Sequence, residues 1–369
     1  MDRKENKTVA VGMSGGVDST ITALLLKRRG FNVIGLTMKI WDDSIRCEAT
    51  KSGCYGPNEP HDIADAERAA ARLGIEHHVI DLHNEYRKTV IEYFREEYME
   101  GKTPNPCIIC NARIKFRALL DKAAASGIRY DLFATGHYAR IVYDPADGIY
   151  LLKRGIDSAK DQSYFLYRLT QKQLGKILFP LGECLKDETR AIALEAGFGE
   201  YLAKPESQDF IEWENYDTLL DGHAQSGDIK DIEGRVIGTH KGIALYTIGQ
   251  RKMLNLAGRK EPFYVLQINA KENTIVAGPK RYLLNKGLIA GDLHWLVPFN
   301  SLKARRLEAQ IRYRSRPCEC KILPGEGDEE VKVEFVKPQE AITPGQSVVF
   351  YDGDIVAGGG IIKKAATEL

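Results

Sequence analysis

Short apolar runs alternate with amphipathic segments over the first part of the chain, up to about residue 140. The apolar runs, typical of buried strands, are TVAVGM, FNVIGLTMKI, IEHHVIDL and DLFATGH. The segments between them favour helices, among them STITALLLKRRG, one from an N-cap at Asp62 to Gly74, and others near 84–100 and 110–125. This alternation predicts an α/β fold, a parallel sheet covered on both faces. Ligands of such sheets bind where the strands end.

The pattern changes after about residue 140 to short strands separated by turns. RIVYDPADGIYLLKR predicts a hairpin with Asp147 and Gly148 in its turn. From about residue 225 the chain is rich in short strands, which predicts small mixed and β-barrel-like domains after the α/β domain. We therefore expect three domains, at 1–215, 216–282 and 283–369, the last of them β-barrel-like.

Composition and charge narrow the class of protein only modestly. The 369 residues include 52 Lys and Arg against 51 Asp and Glu, so any surface for a polyanion must come from local clusters. No apolar run approaches the ~20 residues of a membrane span, and the charged N-terminus MDRKENK lacks the apolar part of a signal peptide. The seven cysteines, an odd number, favour reduced thiols over disulfides. These features predict a cytoplasmic protein without a membrane partner.

A loop rich in glycine and serine follows the first predicted strand and opens the first predicted helix. Glycines let successive N–H groups approach an oxyanion, and the helix N-terminus adds further donors, so this pattern favours phosphate over a simple strand-to-helix turn. The spacing matches neither a Walker loop nor a dinucleotide-binding G-x-G-x-x-G. The candidate phosphate-binding residues are Gly12, Met13, Ser14, Gly15, Gly16, Val17, Asp18 and Ser19.

The segment SGGVDS resembles the PP-loop of the ATP pyrophosphatase superfamily. This resemblance implies that the loop holds pyrophosphate as the leaving group while a substrate oxygen attacks the α phosphate of ATP. It also implies that Asp18 lies near Mg²⁺, and Ser14 and Ser19 near phosphate oxygens.

Seven further motifs occur in one order along the chain: GLTMKIW, TPNPCIICNARIKF, ATGHYAR, KDQSYFLY, GQRKMLNL, IRYRSRP and TPGQSVVFYDGDIVAGGGII. Together they resemble the bacterial tRNA-specific 2-thiouridylases over essentially the whole chain. The resemblance implies an ATP-dependent enzyme that converts the wobble uridine of tRNA to 2-thiouridine through an adenylated uridine. It implies further ATP contacts from Met38 and Gly136. It implies tRNA contacts from Asn105, Pro106, Cys107, His137, Lys160, Asp161, Gln162, Arg312, Tyr313 and Gln346.

Some of these residues also have simpler interpretations. His137 follows a predicted strand end, where a lone histidine is as often structural as substrate-binding. The triplet 160–162 could position a flipped uridine or cap a helix. The basic residues around Tyr313, which could stack on a base, are individually typical of a solvated strand face.

The chain departs from the family pattern at the residues that handle sulfur. Most family members carry Asp-x-x-Cys after NP and a second cysteine in a later segment. Here the first segment reads Cys107-Ile-Ile-Cys110, and Asp209 stands in the later one. Cysteine and aspartate have exchanged places while the set of three is kept. The hypothesis is that Cys107, Cys110 and Asp209 are both the catalytic residues and the ligands of a 4Fe–4S cluster, whose fourth iron binds hydrosulfide.

Three alternatives to the cluster stay open. Cys107 and Cys110 could be a redox or persulfide pair supplied by a cysteine desulfurase, a sulfur-relay protein or free sulfide. They could instead bind zinc together with Cys47 and Cys54. The exchange could also be neutral in an enzyme that needs Cys110 alone. Two rival functions remain beside thiolation, a PP-loop ligase of another substrate and a non-catalytic tRNA-binding protein.

Overall fold

The computed structural model describes residues 7–42, 45, 47–205, 207, 209–214, 216–220, 225–256, 258, 261–302 and 305–366. The chain forms two compact units. The first comprises Met1–Val90, Cys107–Glu214 and Asp354–Val356, and the second comprises Ile91–Pro106, Asn215–Gly353 and Ala357–Leu369. Within the described part of the chain, no helix has the length and apolar character needed to cross a membrane.

The first unit contains the predicted parallel sheet. Its strands are β1 (Thr8–Gly12), β2 (Asn32–Lys39), β3 (Glu76–Asp81), β4 (Leu132–Ala134), β5 (Ala139–Asp144), β6 (Ile149–Arg154) and β7 (Ile177–Leu178). Five of them form one sheet in the order β3-β2-β1-β4-β7, and every pairing in it is parallel. The central strand β1 is buried over Val9, Ala10 and Val11, as expected of a strand covered on both faces. The α/β class is therefore confirmed.

The α-helices of the chain are α1 (Val17–Arg28), α2 (Glu59–Leu73), α3 (His83–Tyr86), α4 (Glu92–Met99), α5 (Pro106–Ile109), α6 (Leu119–Ala125), α7 (Gln171–Leu174), α8 (Lys186–Glu195) and α9 (Asp217–Leu220). Two segments, Arg87–Ile91 and Cys110–Ala118, are π-helical. Short 3₁₀ turns lie at Ser163–Leu166, Pro180–Glu183, Gly199–Leu202, Ile243–Leu245, Lys280–Leu283 and Phe299–Ser301.

The ends of α2 and the position of the first hairpin were both predicted from the sequence. Helix α2 ends at Gly74, which is left-handed (φ 60°, ψ 46°) as predicted. The predicted N-cap at Asp62 is wrong, because the helix already begins at Glu59 after the N-cap Asn58. Pro60 fixes the first turn in the helical conformation, so Asp62 lies within that turn. The predicted hairpin is β5 paired antiparallel to β6.

The second unit contains two β structures. Its strands are β8 (Gly227–Lys230), β9 (Val236–His240), β10 (Phe263–Asn269), β11 (Thr274–Pro279), β12 (Leu284–Trp295), β13 (Leu307–Gln310), β14 (Cys318–Gly325), β15 (Gly327–Glu340), β16 (Ser347–Asp352) and β17 (Ile355–Ala366). Strands β8 to β11 form a four-stranded sheet around a small core that includes Ile229, Val265 and Ile275. Strands β12 to β17 form a closed barrel, because β12 pairs with both β15 and β17. The predicted barrel is confirmed.

Candidate active site

The glycine loop connects β1 to α1 in the first unit. Gly15 has φ +70°, and a Cβ built there would lie 2.3 Å from the carbonyl oxygen of Asp62, so only glycine fits. Gly16 is the N-cap of the 12-residue helix α1, and no side chain among the described residues caps that end. The N–H groups of the first turn are therefore available, which is the arrangement that binds phosphate.

The loop is held in shape by hydroxyl and backbone hydrogen bonds. The N–H of Ser14 donates to Oγ of Ser19 (3.2 Å), and that hydroxyl donates to the carbonyl of Gly16 (3.0 Å). Met13 is buried in the core, and its backbone N–H and carbonyl are both hydrogen-bonded to β2, so it anchors the start of the loop. Val17 packs partly against the same core.

We predict that Gly15→Ala removes ATP binding and lowers the free energy of unfolding by several kcal/mol. The new methyl group adds a clash of about 1–3 kcal/mol to a left-handed backbone cost of about 1–2 kcal/mol. Gly30→Ala is the matched control, since Gly30 has φ +84° but nothing within 4 Å of its Cβ position. Urea unfolding and ATP titration of both variants measure the difference. Equal effects of the two variants would contradict the tight fit at Gly15.

Asp18 of the loop forms a buried ion pair with Lys186. The ammonium Nζ lies 2.8 Å from both carboxylate oxygens, and the Lys186 side chain is 6% exposed. The hydroxyl of Tyr138 donates to Asp18 Oδ1 (3.1 Å), and Gly136 packs so close that a Cβ there would lie 2.9 Å from the Asp18 backbone. The loop is thus fixed from helix α8 and from the chain segment after β4.

A second lysine, Lys204, contacts the other side of the loop. Its ammonium lies 2.8 Å from an Asp65 carboxylate oxygen and 3.3 Å from the carbonyl of Gly15, and it also pairs with Asp62. Burial alone would lower the pKa of Lys204, but the hydrogen bonds to Asp62 and Asp65 outweigh it and raise the pKa. Two cations therefore flank the candidate phosphate site, and the pairing of Lys204 with Asp62 and Asp65 keeps that ammonium charged at neutral pH.

The thiols of Cys107 and Cys110 lie in the same unit, where α5 runs into a π-helical segment that begins at Cys110. π-helical turns are frequent at functional sites. All seven cysteines of the chain fall within the described residues, and all are free thiols. Cys107 and Cys110 are half-buried, whereas Cys54 is exposed.

The protein environment keeps both of these thiols protonated at neutral pH. Burial raises the pKa of Cys110 to about 11 against the opposing charge of Lys115, and burial raises the pKa of Cys107 further, helped by Cys54 and Cys110. Burial also lowers the pKa of His137, and Lys115 adds to this effect. Lys115 is therefore the cation that favours a thiolate at Cys110 and a neutral imidazole at His137.

We predict that Lys115→Met slows alkylation of Cys110 by iodoacetamide about tenfold, because loss of the cation raises the pKa of the thiol and so lowers the fraction of thiolate. In the wild type, alkylation of Cys110 should speed up about tenfold per pH unit up to its pKa of about 11, since only the thiolate reacts. Peptide mass spectrometry measures the rate at each pH. Lys115→Arg keeps the charge and serves as control, and equal slowing in both variants would rule out the electrostatic explanation.

Asp209, the third residue of the sequence-based cluster hypothesis, is paired with Lys51, and its charge also raises the pKa of Cys107. Its Oδ2 accepts a hydrogen bond from Lys51 at 2.7 Å, and its Oδ1 accepts one from the N–H of Phe210 at 2.7 Å. Among the residues that the structure describes, no three His, Cys, Asp or Glu side chains converge so as to hold a metal ion. In this arrangement the residues do not fit the 4Fe–4S cluster, nor the zinc site with Cys47 and Cys54.

The predicted substrate residues of the first unit surround Tyr138 and His137. Gln162 bonds the backbone of Tyr138 in both directions (3.0 and 2.9 Å), and the Asp161 carboxylate accepts from the N–H groups of Gly155 and Ser163 (both 3.1 Å). The backbone N–H of Lys160 donates to the carbonyl of Asp157 (3.0 Å). These hydrogen bonds fix the conformation of the segment 155–163. The ring nitrogen Nδ1 of His137 shares a hydrogen bond with Thr135 Oγ1 (2.7 Å), and the ring packs against Phe116 and Phe179.

The second unit holds five more of the predicted substrate residues: Asn105, Pro106, Arg312, Tyr313 and Gln346. The amide of Gln346 donates to the carbonyls of Thr103 (2.9 Å) and Pro104 (3.2 Å), so it positions the chain just before Asn105 and Pro106. Arg312 bonds Thr343 Oγ1 (3.0 Å) and the carbonyl of Ala341. The carbonyl of Tyr313 accepts from Gln310. Met38, in the first unit, is half-buried near the end of β2.

The chain is similar to known proteins over nearly its whole length. Three sequence families match it in succession, described as the tRNA methyl transferase HUP domain (residues 7–212), the tRNA methyl transferase PRC-barrel domain (220–279) and the aminomethyltransferase beta-barrel domain (285–362). A tRNA-specific 2-thiouridylase of Thermoanaerobacter sp. (strain X514) is 46% identical over 367 residues, which cover 97% of this chain and 98% of that protein. The chain belongs to the tRNA-specific 2-thiouridylase family. The enzyme class expected from the sequence motifs is thereby confirmed.

Other members of the tRNA-specific 2-thiouridylase family give the same result. The one from Endomicrobium trichonymphae is 46% identical over 357 residues, covering 96% of this chain and 98% of its own length. The one from Clostridioides difficile (strain 630) is 44% identical over 366 residues, covering 98% and 99%. The likeness to 2-thiouridylases thus extends over all three matched regions.

Sequence reasoning missed several residues of this site. Lys186, Lys204 and Tyr138 contact the glycine loop or its aspartate, yet each lies far from it along the chain. The segments around Lys186 and Lys204 carry no motif that would have singled them out. Tyr138 lies within the ATGHYAR motif, and this motif is the sequence feature that could have identified it as a site residue.

Proposed function

We propose that this protein thiolates the wobble uridine of tRNA at C2 with consumption of ATP. The observation that carries the proposal is a helix-capped glycine loop together with the Cys107 and Cys110 thiols in one compact unit. The whole-length likeness to proteins named tRNA-specific 2-thiouridylases supports the choice of substrate.

The first half-reaction is adenylation at the glycine loop. ATP binds with its phosphates at residues 12–19, where N–H groups of α1 and the ammonium groups of Lys186 and Lys204 offset their charge. Adenine lies towards Met38 and Gly136. The uridine leaves its stack, its C2 oxygen attacks the α phosphate, and pyrophosphate departs. Holding both reactants away from water supplies much of the rate.

Asp18 is the residue of this loop that would hold Mg²⁺. Carboxylate oxygens are the ligands that Mg²⁺ prefers, and the Asp18 side chain keeps 30% exposure beside Lys186, so an ion can reach it. Bound there, the ion would neutralise charge on the phosphates.

The second half-reaction brings sulfur to C2 of the adenylated uridine, with release of AMP. Cys107 and Cys110 are the thiols at this step. Sulfur comes either as persulfide sulfur passed to a thiolate by a cysteine desulfurase or a sulfur-relay protein, or as free sulfide that attacks C2 directly. The cluster on these two thiols and Asp209 remains a sequence-based prediction, against which the pairing of Asp209 with Lys51 weighs. Iron and acid-labile sulfide content of anaerobically purified protein decides it.

The proposal also includes the residues that contact tRNA, the domain boundaries and the cellular location. The tRNA is held by Asn105, Pro106, Cys107, His137, Lys160, Asp161, Gln162, Arg312, Tyr313 and Gln346. The domains divide at about 215 and 282, with the last one contacting tRNA, and the protein acts in the cytoplasm.

One experiment distinguishes tRNA thiolation from the two rival functions, a ligase of another substrate and a non-catalytic tRNA-binding protein. The protein is incubated anaerobically with Mg-ATP, unmodified tRNA and either sulfide or glutathione persulfide, and the digested nucleosides are analysed by mass spectrometry beside AMP release. We expect 2-thiouridine, in amounts equal to the AMP formed. A ligase of another substrate gives neither product, and a binding protein without catalysis shifts the tRNA in a gel but leaves it unmodified. A methylated nucleoside in place of 2-thiouridine would also refute the proposal.

A further inference from the structure

Cys54 lies directly against the segment in which the family carries its second cysteine and this chain carries Asp209. The N–H groups of Cys54 and Tyr55 donate to the carbonyl of Phe210 (3.2 and 2.8 Å), and Tyr55 forms a parallel bridge with Ile211. A Cβ at Gly53 would lie 2.5 Å from the Ile211 carbonyl, so the two segments are in close backbone contact. A thiol at position 54 therefore takes a place beside the one lost at 209.

The same loop approaches the helix that carries Cys107 and Cys110. The ring of Tyr55 stacks on that of Tyr86 with centroids 5.2 Å apart, and α3, which ends at Tyr86, packs against the π-helical segment that begins at Cys110. Burial raises the pKa of the Tyr86 phenol, and the charges of Cys110, Cys54 and Cys107 raise it further. The charges of all three thiols thus act on one phenol, and those of Cys54 and Cys110 also act on Cys107.

The three thiols differ in how accessible they are to a donor. Cys54 is exposed, whereas Cys107 and Cys110 are half-buried. An exposed thiol can meet a bulky sulfur donor in solution, whereas the half-buried inner pair is shielded from such a donor.

We propose that Cys54 is the thiol that accepts sulfur from a persulfide donor and passes it to the adenylated uridine, with the Cys107/Cys110 pair as resolving thiols. This inference rests on the proposed function and names the residue that replaces the cysteine absent at 209.

The chemistry balances with two co-reactants, a persulfide and a dithiol. The Cys54 thiolate attacks the outer sulfur of a donor R–S–SH, so Cys54–S–SH forms and the thiol R–SH leaves. The terminal sulfur, after losing its proton, attacks C2 of the adenylated uridine and AMP departs. A thiolate of Cys107 or Cys110 then attacks Cys54 Sγ, which releases 2-thiouridine and leaves a disulfide. An external dithiol reduces that disulfide by two electrons and is itself oxidised to a disulfide.

The test uses glutathione persulfide as donor with the full-length protein. After brief incubation and alkylation, peptide mass spectrometry should find the added sulfur on Cys54. In a single turnover with ATP and tRNA but no dithiol, a disulfide from Cys54 to Cys107 or Cys110 should accumulate. Cys54→Ser should lose at least about 100-fold in persulfide-dependent thiolation. Cys184→Ser, a half-buried thiol outside this site, is the matched control and should keep wild-type rates.

The possible outcomes distinguish a failure of this inference from a failure of the proposed function. Wild-type rates in Cys54→Ser, or added sulfur found only on Cys107 or Cys110, would overturn the relay while leaving tRNA thiolation intact. About four irons per chain, lost in Cys54→Ser, would also overturn it. The disulfide in wild-type protein tests the relay even if the variant fails to fold. Sulfur on Cys54 without any 2-thiouridine in the wild type would instead refute the proposed function.

Discussion

Cys110→Ser is expected to reduce tRNA thiolation by about 100-fold or more, because it removes the inner thiol that is easier to ionise. Cys110 begins the π-helical segment, and Lys115 opposes the effect of burial on the pKa of its thiol, so this thiol is the easier of the inner two to ionise. A serine hydroxyl cannot carry or release sulfur at neutral pH. The measurement is 2-thiouridine per tRNA, with AMP formation followed in the same reactions.

The control for this variant is Cys320→Ser, a buried thiol of the barrel core in the second unit. We expect it to lose stability without losing the ability to form 2-thiouridine once folded. Cys107→Ser tests the neutral-exchange alternative directly. If Cys107→Ser keeps full activity, the exchange of cysteine and aspartate is neutral and Cys110 works without it.

Lys186→Met is expected to abolish ATP binding and to lower the free energy of unfolding by up to about 3 kcal/mol. The substitution leaves Asp18 without the ammonium that lies 2.8 Å from both of its oxygens. Removing one partner of a buried pair costs about 3–5 kcal/mol, and the 30% exposure of Asp18 places this pair at the lower end. Urea unfolding gives the stability, and titration with ATP gives the affinity.

The double variant Asp18→Asn/Lys186→Met separates stability from function. Without a net charge to bury, it should regain most of the lost unfolding free energy, since a neutral pair of similar volume carries no uncompensated ion. It should still fail to bind ATP, because the cation beside the loop is gone. Recovery of ATP binding together with stability would mean that Lys186 acts only as a structural partner.

Local pattern was sufficient for the parts of this fold that depend on neighbours along the chain. The buried run at 9–11 and the glycine-rich turn after it are typical of a central strand followed by a tight turn into a helix, which is what the structure has. Gly74 ends its helix in a left-handed conformation for the same local reason. The N-cap at Asp62 failed because Pro60, two residues earlier, is itself a good first-turn residue.

The site depends on residues that no local pattern connects. Lys186 reaches Asp18 across 168 positions, and Lys204 reaches Asp65 across 139. Lys51 holds Asp209 across 158 positions, which is why the exchange of cysteine and aspartate suggested a shared ligand set that the side chains do not form. Such pairings follow from how helices and loops pack around the sheet, and spacing along the chain does not encode them.

The sequence by itself determined the parallel sheet, its glycine loop, the terminal barrel and the family, because each depends on short-range periodicity or on motifs kept in order. Only the tertiary structure decided which charges face the loop and which thiols lie together. Ion pairs and thiol chemistry act over a few ångströms in space, and at that range Cys54 is a neighbour of the 209–212 segment although more than 150 residues separate them.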